Sequence, residues 1–148
     1  MRRPRPVLHV CTQRREIVDR SSEGAELAFH IDALHLDLQR PLAVKIDTQG
    51  AEPNIFAGGR ETLAKADLIA FEFWPYAMRR IGGDVSQMID FVADTFAEGS
   101  IAVDDMVEDM TWRPIKAICA ELRHVATDPI TMDNYFNFFD VIVRKQLR

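Results

Sequence analysis

The sequence predicts an α/β fold, in which helices pack on the faces of a sheet. Stretches with the hydrophobic pattern of strands alternate along the chain with stretches of helical periodicity, and this alternation is typical of α/β proteins. Residues 42–47 also form a short apolar run, as expected of a parallel strand covered on both faces. With 148 residues, the chain is long enough for one domain with a sizeable core.

The composition is that of an ordinary globular protein, with 47% hydrophobic and 28% charged residues. The formal net charge of -5 disfavours nucleic acid as a partner, because a phosphate-binding surface needs clustered Lys and Arg. No apolar run approaches the length of a membrane span, and the one after the basic start is too short for a secretory signal. The two cysteines, Cys11 and Cys119, do not make a disulfide framework, so we expect buried thiols in a reducing cytoplasm.

The N-terminal part, residues 1–27, has the least defined pattern. Within it, residues 7–10 have the composition of a strand, and residues 28–38 suggest a short strand or turn before the first well-defined strand. We treat residues 28–148 as the folded region.

The strand at residues 42–47 leads into a polar turn and then into a helix. Gly50 permits backbone conformations that a side chain resists, which favours a turn at this point. Residues 51–66 have helical character, but Gly58 and Gly59 are expected to break or kink the helix.

The second well-defined strand covers residues 67–74, which are rich in aromatic and aliphatic side chains. Pro75 ends it, because proline cannot continue a central ladder. Residues 76–83, which include Arg79 and Arg80, are expected to form a loop.

The best-defined helix begins after Asp84, an N-cap residue with Gln87 three positions later in a capping-box arrangement. Its apolar residues fall on one face, and Gly99 stands where we expect the C-cap. These apolar residues are Val85, Met88, Ile89, Val92 and Phe96.

The last third predicts a short strand at residues 101–103, an acidic loop at 104–110 and a further helix. Pro114 suits the first turn of that helix, and residues 136–145 are expected to be the closing strand. The apolar stripe of the helix consists of Ile115, Ile118, Cys119, Leu122 and Val125.

The candidate functional site lies where the strand 42–47 ends. Lys45 and Asp47 are two residues apart, so they point to the same side of a strand, and Glu52 opens the next helix. In open α/β sheets, ligands bind outside the carboxyl ends of the strands. A carboxylate at Asp47 is suited to orienting or deprotonating a substrate hydroxyl, or to holding a cofactor or cation.

Each of these residues also has a structural interpretation. Asp47 is a common turn former, Glu52 favours a helix N-terminus through the dipole alone, and Lys45 has Asp47 or Glu72 as ion-pair partners. Glu72 lies in the second strand, where an unpaired charge is costly, so it either has a partner or faces the cleft. Trp74 and Tyr76 follow the strand end and suit either pocket walls or ordinary packing.

No metal site is predicted. The histidines show no ligand spacing, and no cysteine cluster accompanies them. The acidic run is expected to be a solvated loop, because it lacks the glycine and the terminal glutamate of a calcium loop. Its members are Asp104, Asp105, Glu108 and Asp109.

Three stretches together resemble the C-terminal half of the FkbM family of S-adenosylmethionine-dependent methyltransferases. They are KIDTQGAE, NIFAGGRETL and DLIAFEFW. Upstream, HIDALHLDL resembles the leucine-aspartate segment that precedes the family's K-[IL]-D-[VT]-[QE]-G-x-E block. The similarity is good over residues 31–74 and extends weakly to residue 144.

The resemblance implies a partial doubly wound, Rossmann-like sheet of the class I methyltransferase type over residues 28–148. It implies O-methylation of a hydroxyl on a sugar, a polyketide or a related small molecule, with S-adenosylmethionine as cofactor. Asp47, Glu52 and Lys45 are then the candidate catalytic residues, and Asp47 and Glu72 the candidate cofactor-binding residues.

The family's cofactor half begins with a strand, a glycine-rich turn and a helix, and the glycine pairs of this chain lie in other contexts. We therefore expect a C-terminal part of such an enzyme, a chain with a mis-assigned start or a shortened descendant. The strand 42–47 would then have an open edge, so we expect either a homodimer or coverage by residues 7–10. The alternatives are a non-catalytic remnant or partner-binding α/β module, and, less favoured, another nucleotide-binding α/β protein.

Overall fold

A computed structural model of the chain describes residues 7–11, 31–38, 40–102, 110–131 and 134–146. Its strands are β1 (Val7–Cys11), β2 (Ala43–Asp47), β3 (Leu68–Phe73), β4 (Glu98–Ala102), β5 (Arg113–Pro114) and β6 (Phe139–Arg144). Its α-helices are α1 (Glu52–Gly58), α2 (Arg60–Leu63), α3 (Pro75–Ile81), α4 (Val85–Thr95) and α5 (Ile115–Thr127), and a 3-10 helix covers Ile31–Leu34.

The strands form one mixed sheet in the order β1-β2-β3-β6-β4-β5. The first three are parallel to one another, and β6 pairs antiparallel with both β3 and β4. The α/β fold predicted from the alternating pattern is thus confirmed. The expectation that residues 7–10 cover the edge of β2 is also confirmed, because β1 pairs with β2 from Val7 and Ala43 to Cys11 and Asp47. A homodimer stays a prediction.

The main helices pack on one face of this sheet. The Phe56 ring of α1 contacts Phe71 of β3 at 5.2 Å between ring centroids and Phe91 of α4 at 5.7 Å. Farther along the same face, a Cβ on Gly99 of β4 would lie 3.1 Å from Ile118 of α5. Helices on both faces were expected; of the described helices, α1, α4 and α5 occupy the same one.

Residues 76–83 were expected to be a loop, and this prediction is wrong. They contain most of α3, which begins at Pro75 and ends at Ile81, with Gly82 as its C-cap. Proline at the first helical position costs no hydrogen bond, and Gly82 adopts the left-handed conformation with φ 88° while its N–H donates to Met78. The sequence therefore contained both the start and the stop signal of this helix.

The expected C-cap at Gly99 is also wrong. Helix α4 ends at Thr95, and the N–H of Phe96 donates to Val92. Gly99 lies inside β4, where a side chain would meet Ile118 and the carbonyl oxygen of Ile142 at 3.1 and 3.3 Å. The glycine is needed for close approach of β4 to its neighbours and not for helix termination, and the strand begins at Glu98 instead of residue 101.

Other local predictions are confirmed. Asp84 accepts a hydrogen bond from the N–H of Gln87, whose side chain donates back to the Asp84 carboxylate. The break at Gly58 and Gly59 separates α1 from α2, and α5 starts directly after Pro114. The expected acidic loop falls mostly on residues 103–109, outside the described residues. Of the helices in the described ranges, none has the length and apolarity needed to cross a membrane.

Candidate functional site

The turn after β2 is held by one buried carboxylate. Glu52 has an exposed fraction of 0%. Its Oε1 accepts from the N–H and the hydroxyl of Thr48 at 2.8 and 2.9 Å, and its Oε2 accepts from the N–H of Gly50 at 2.8 Å. These bonds satisfy donors that the turn would otherwise bury unpaired. Glu52 was predicted as a catalytic residue, and this geometry supports a positioning role beneath the site.

Helix α3 closes the other side of this turn. Gln49 and Gly50 both have positive φ, 52° and 109°. A Cβ on Gly50 would lie 2.6 Å from the carbonyl carbon of Ala77 in α3. The backbone of the turn thus touches the backbone of α3, an approach that only glycine permits.

Asp47 is the last residue of β2 and directly precedes the turn that Glu52 stabilises. Its carboxylate lies 3.9 Å from the ammonium group of Lys45, and the two side chains are 46% and 48% exposed. The predicted pairing of Lys45 with Asp47 is therefore present. Because half-exposed ion pairs are weak, both side chains are available to a ligand at the carboxyl end of β2.

Glu72 lies at the same end of the neighbouring strand. The β2–β3 ladder ends with Ile46 beside Phe71, so Asp47 and Glu72 follow it on adjacent strands and point to the same side. In the antiparallel β3–β6 ladder, Glu72 lies directly opposite Asp140 of β6. The sequence singled out Glu72 but missed Asp140, because its position opposite Glu72 depends on how distant strands pair.

The Glu72 carboxyl group is the most perturbed acid of the site. Its Oε2 is buried and has no hydrogen-bond partner among the described residues. The pKa of Glu72 is raised to about 7, first by burial and then by the negative charges of Asp47, Glu52 and Asp140, whereas Lys45 lowers it. A carboxyl group that changes its ionisation near neutral pH is a candidate acid or base.

Beside these carboxylates lies a group of five ring side chains, which we call the aromatic platform: Trp74, Tyr76, Tyr135, Phe136 and Phe138. Sequence reasoning proposed only Trp74 and Tyr76 as pocket walls. It assigned residues 136–145 entirely to a strand, whereas β6 begins at Phe139. The concentration of rings just before that strand was the available signal.

Within the described residues, no group of three or more His, Cys, Asp or Glu side chains is arranged to hold a metal ion. The site instead combines an exposed lysine, three carboxylates and rings where the carboxyl ends of β2 and β3 meet the beginning of β6. Such an arrangement can accept hydrogen bonds from a ligand and take up a proton.

No protein-family model, no curated protein and no solved structure matches this chain. Function is therefore argued from the geometry of the site, with the family resemblance as an expectation from the sequence.

Proposed function

We propose that this chain is an S-adenosylmethionine-dependent methyltransferase of the FkbM type that methylates a hydroxyl of a sugar, a polyketide or a related small molecule. The observation that carries the proposal is the placement of Asp47 and Glu72 at the carboxyl ends of two neighbouring parallel strands. Open α/β sheets bind their ligands at this position. The block that resembles the family contains Asp47, Lys45 and the residue that clamps the turn, Glu52.

A partial doubly wound sheet of the class I methyltransferase type belongs to the same proposal. Strands β1, β2, β3 and β4 run in one direction, and β6 lies antiparallel between β3 and β4. This arrangement is compatible with it, since many doubly wound sheets carry an antiparallel strand. The cytoplasmic location expected from the cysteines is likewise part of the proposal.

Glu72 is suited to accept the proton of the acceptor hydroxyl. A general base works best when its pKa lies near the working pH, and the pKa of Glu72 is raised to about 7. The Glu72 carboxylate would take up the hydroxyl proton as the acceptor oxygen gains the methyl group, whose bond to the cofactor sulfur would break to leave a neutral thioether. Asp47 accepts a hydrogen bond from the acceptor and orients it, and orientation of the reactants supplies much of the rate.

The residues present fit the cofactor in charge and in hydrogen bonding. When bound, S-adenosylmethionine supplies a methyl group on a positively charged sulfur. Carboxylates favour a nearby positive charge, and the unpaired Oε2 of Glu72 is an acceptor for a hydroxyl. Asp47 and Glu72 are therefore the residues that would hold the cofactor.

The test is calorimetric titration of the 148-residue chain with S-adenosylhomocysteine. We expect saturable one-site binding that weakens in Asp47→Asn and in Glu72→Gln. Glu61→Gln is the matched control, because Glu61 is an exposed residue of α2. A folded chain that binds no S-adenosylhomocysteine would overturn the proposal and favour a non-catalytic remnant or a partner-binding module.

Turnover tests the role of Asp47 separately. In a preparation that methylates an acceptor, Asp47→Asn is expected to abolish most of the turnover, because an uncharged amide accepts a hydrogen bond more weakly than a carboxylate and orients the hydroxyl less well. Near-normal turnover in that variant would reject the catalytic role of Asp47.

A further inference from the structure

The aromatic platform is held in a defined arrangement. The indole N–H of Trp74 donates to the carbonyl oxygen of Tyr135 at 2.9 Å. The Trp74 ring lies 5.8 Å from Phe138 and 6.2 Å from Tyr76, and Tyr76 lies 4.1 Å from Tyr135, all between ring centroids. Tyr135, which precedes β6, thereby fixes the ring of Trp74, which follows β3.

The platform is also open to solvent. Phe136 is 70% exposed and Phe138 is 54% exposed. In the described ranges, the other large hydrophobic side chains with a high exposed fraction are Leu34 and Ile81. Adjoining exposed rings are costly in water, and such patches mark interaction sites.

The strand register places the platform next to the carboxylates. Glu72 pairs with Asp140 and Phe73 with Phe139, so Trp74 and Phe138 follow two positions beyond the acidic pair. Side chains two residues apart point the same way and are about 7 Å apart along a strand. The rings therefore continue the surface that carries Glu72.

The charge beside the platform is negative. Asp47, Glu72 and Asp140 contribute carboxylates, and among the described residues whose charges act on Glu72, Lys45 is the cation. Lys45 is already paired with Asp47. Arg80 donates to the Tyr76 hydroxyl at 3.4 Å, whereas the Trp74 and Phe138 rings lie two positions beyond the acidic pair Glu72 and Asp140.

We propose that the aromatic platform binds an organic cation, so that the methyl acceptor is a hydroxyl compound that carries a protonated or quaternary amine. Ring faces attract a cation through their quadrupole, most strongly with Trp, and the adjoining carboxylates add Coulomb attraction. An uncharged apolar ligand would gain neither of these attractions, and an anion would be repelled by the carboxylates. The identification of this cation as the methyl acceptor rests on the proposed function, whereas the binding of an organic cation is argued from the geometry of the platform alone.

Choline and 3,3-dimethylbutan-1-ol provide a matched pair of probes. Both carry a hydroxyl and have nearly the same shape, but the positively charged nitrogen of choline is replaced by an uncharged carbon in the alcohol. Titrations of the chain are followed by NMR shifts of the Trp74 indole. We expect saturable binding of choline, at least about fivefold tighter than that of the neutral alcohol. The affinity for choline should fall as salt is added, because the carboxylates are partly exposed.

Phe138→Ala tests the platform directly and is expected to weaken choline binding about threefold to tenfold. Leu34→Ala is the control, because Leu34 is exposed to nearly the same extent, 53% against 54%, but lies in the 3-10 helix. Circular dichroism checks that both variants fold. Equal binding of the two probes, unchanged binding in Phe138→Ala, or no saturable binding of choline would each overturn the inference.

Titration with S-adenosylhomocysteine in the same preparations separates the two proposals. Binding of S-adenosylhomocysteine without binding of choline overturns only the organic-cation site. Binding of choline without S-adenosylhomocysteine supports the cation site and overturns the proposed function.

Discussion

Glu52 and Thr48 are joined by two hydrogen bonds, since one carboxylate oxygen accepts from both the N–H and the hydroxyl of Thr48, at 2.8 and 2.9 Å. The other oxygen accepts from Gly50. A single buried carboxylate thus determines where β2 ends and how Asp47 leaves the sheet.

Replacement of Glu52 by Ala should lower the free energy of unfolding by about 3–5 kcal/mol, because it removes the buried acceptor of three hydrogen bonds from Thr48 and Gly50. Glu52→Gln should cost less but still about 2 kcal/mol, since an amide nitrogen would face an N–H. Urea denaturation measures both, with the exposed Glu61→Gln as the control. A Glu52→Ala protein as stable as that control would contradict the stabilising role of the hydrogen bonds that Glu52 accepts in the turn.

Two glycines with positive φ allow conformational strain to be separated from steric overlap. Gly82 has φ 88°, and no atom lies within 4 Å of a Cβ added there. Gly82→Ala should therefore lower the free energy of unfolding by about 1 kcal/mol, through backbone strain alone. Gly50→Ala has φ 109° and would place its Cβ 2.6 Å from the Ala77 backbone, so about 3 kcal/mol or more should be lost. Equal melting temperatures of the two variants would argue against contact between the turn and α3.

The raised pKa of Glu72 predicts a distinct pH dependence of stability. The pKa rises from the usual 4.5 to about 7 on folding, with burial as its first cause, so the folded state holds the proton more tightly. Stability from this group is then complete below pH 4.5 and is lost as the pH rises to about 7.

Glu72→Gln should remove this loss, so that it gains roughly 1–2 kcal/mol over the parent protein between pH 5 and pH 8. Urea denaturation at the two pH values measures the difference. The same gain in Glu61→Gln, or none in Glu72→Gln, would refute the assignment.

The segment before β2 is tied to helix α2 by Asp32. Its carboxylate accepts from the N–H groups of Glu61 and Thr62 at 2.9 and 2.8 Å. Burial alone raises the pKa of Asp32, but these hydrogen bonds outweigh it and the pKa is lowered. The contribution of Asp32 to stability is therefore present above the usual pKa of 3.8 and is lost as the pH falls below it.

Asp32→Ala should cost about 1–2 kcal/mol, as expected for loss of a helix cap. Faster amide exchange of Glu61 and Thr62 is the measurement, because these N–H groups lose their acceptor. Asp37→Ala is the control, since Asp37 is exposed on the same segment. Unchanged exchange at both amides would contradict the cap.

Local sequence signals were enough for the elements around the site. The apolar run of β2, the break at Gly58 and Gly59 and the Asp84 cap each depend on neighbours within a few residues, and each is present as predicted. Helix α3 was missed although Pro75 and Gly82 bound it, because proline was interpreted only as the end of a strand.

The sequence by itself thus determined the α/β class, the strand-and-turn block and the position of Asp47 at a strand end, since periodicity and turn chemistry act over short distances. Only the tertiary structure decided that β6 lies between β3 and β4, and this insertion brings Asp140 opposite Glu72. The same pairing gathers the aromatic platform from two distant segments and buries the Glu72 carboxyl. Both effects arise from pairing between strands far apart in the chain, which local hydrophobic patterns do not specify.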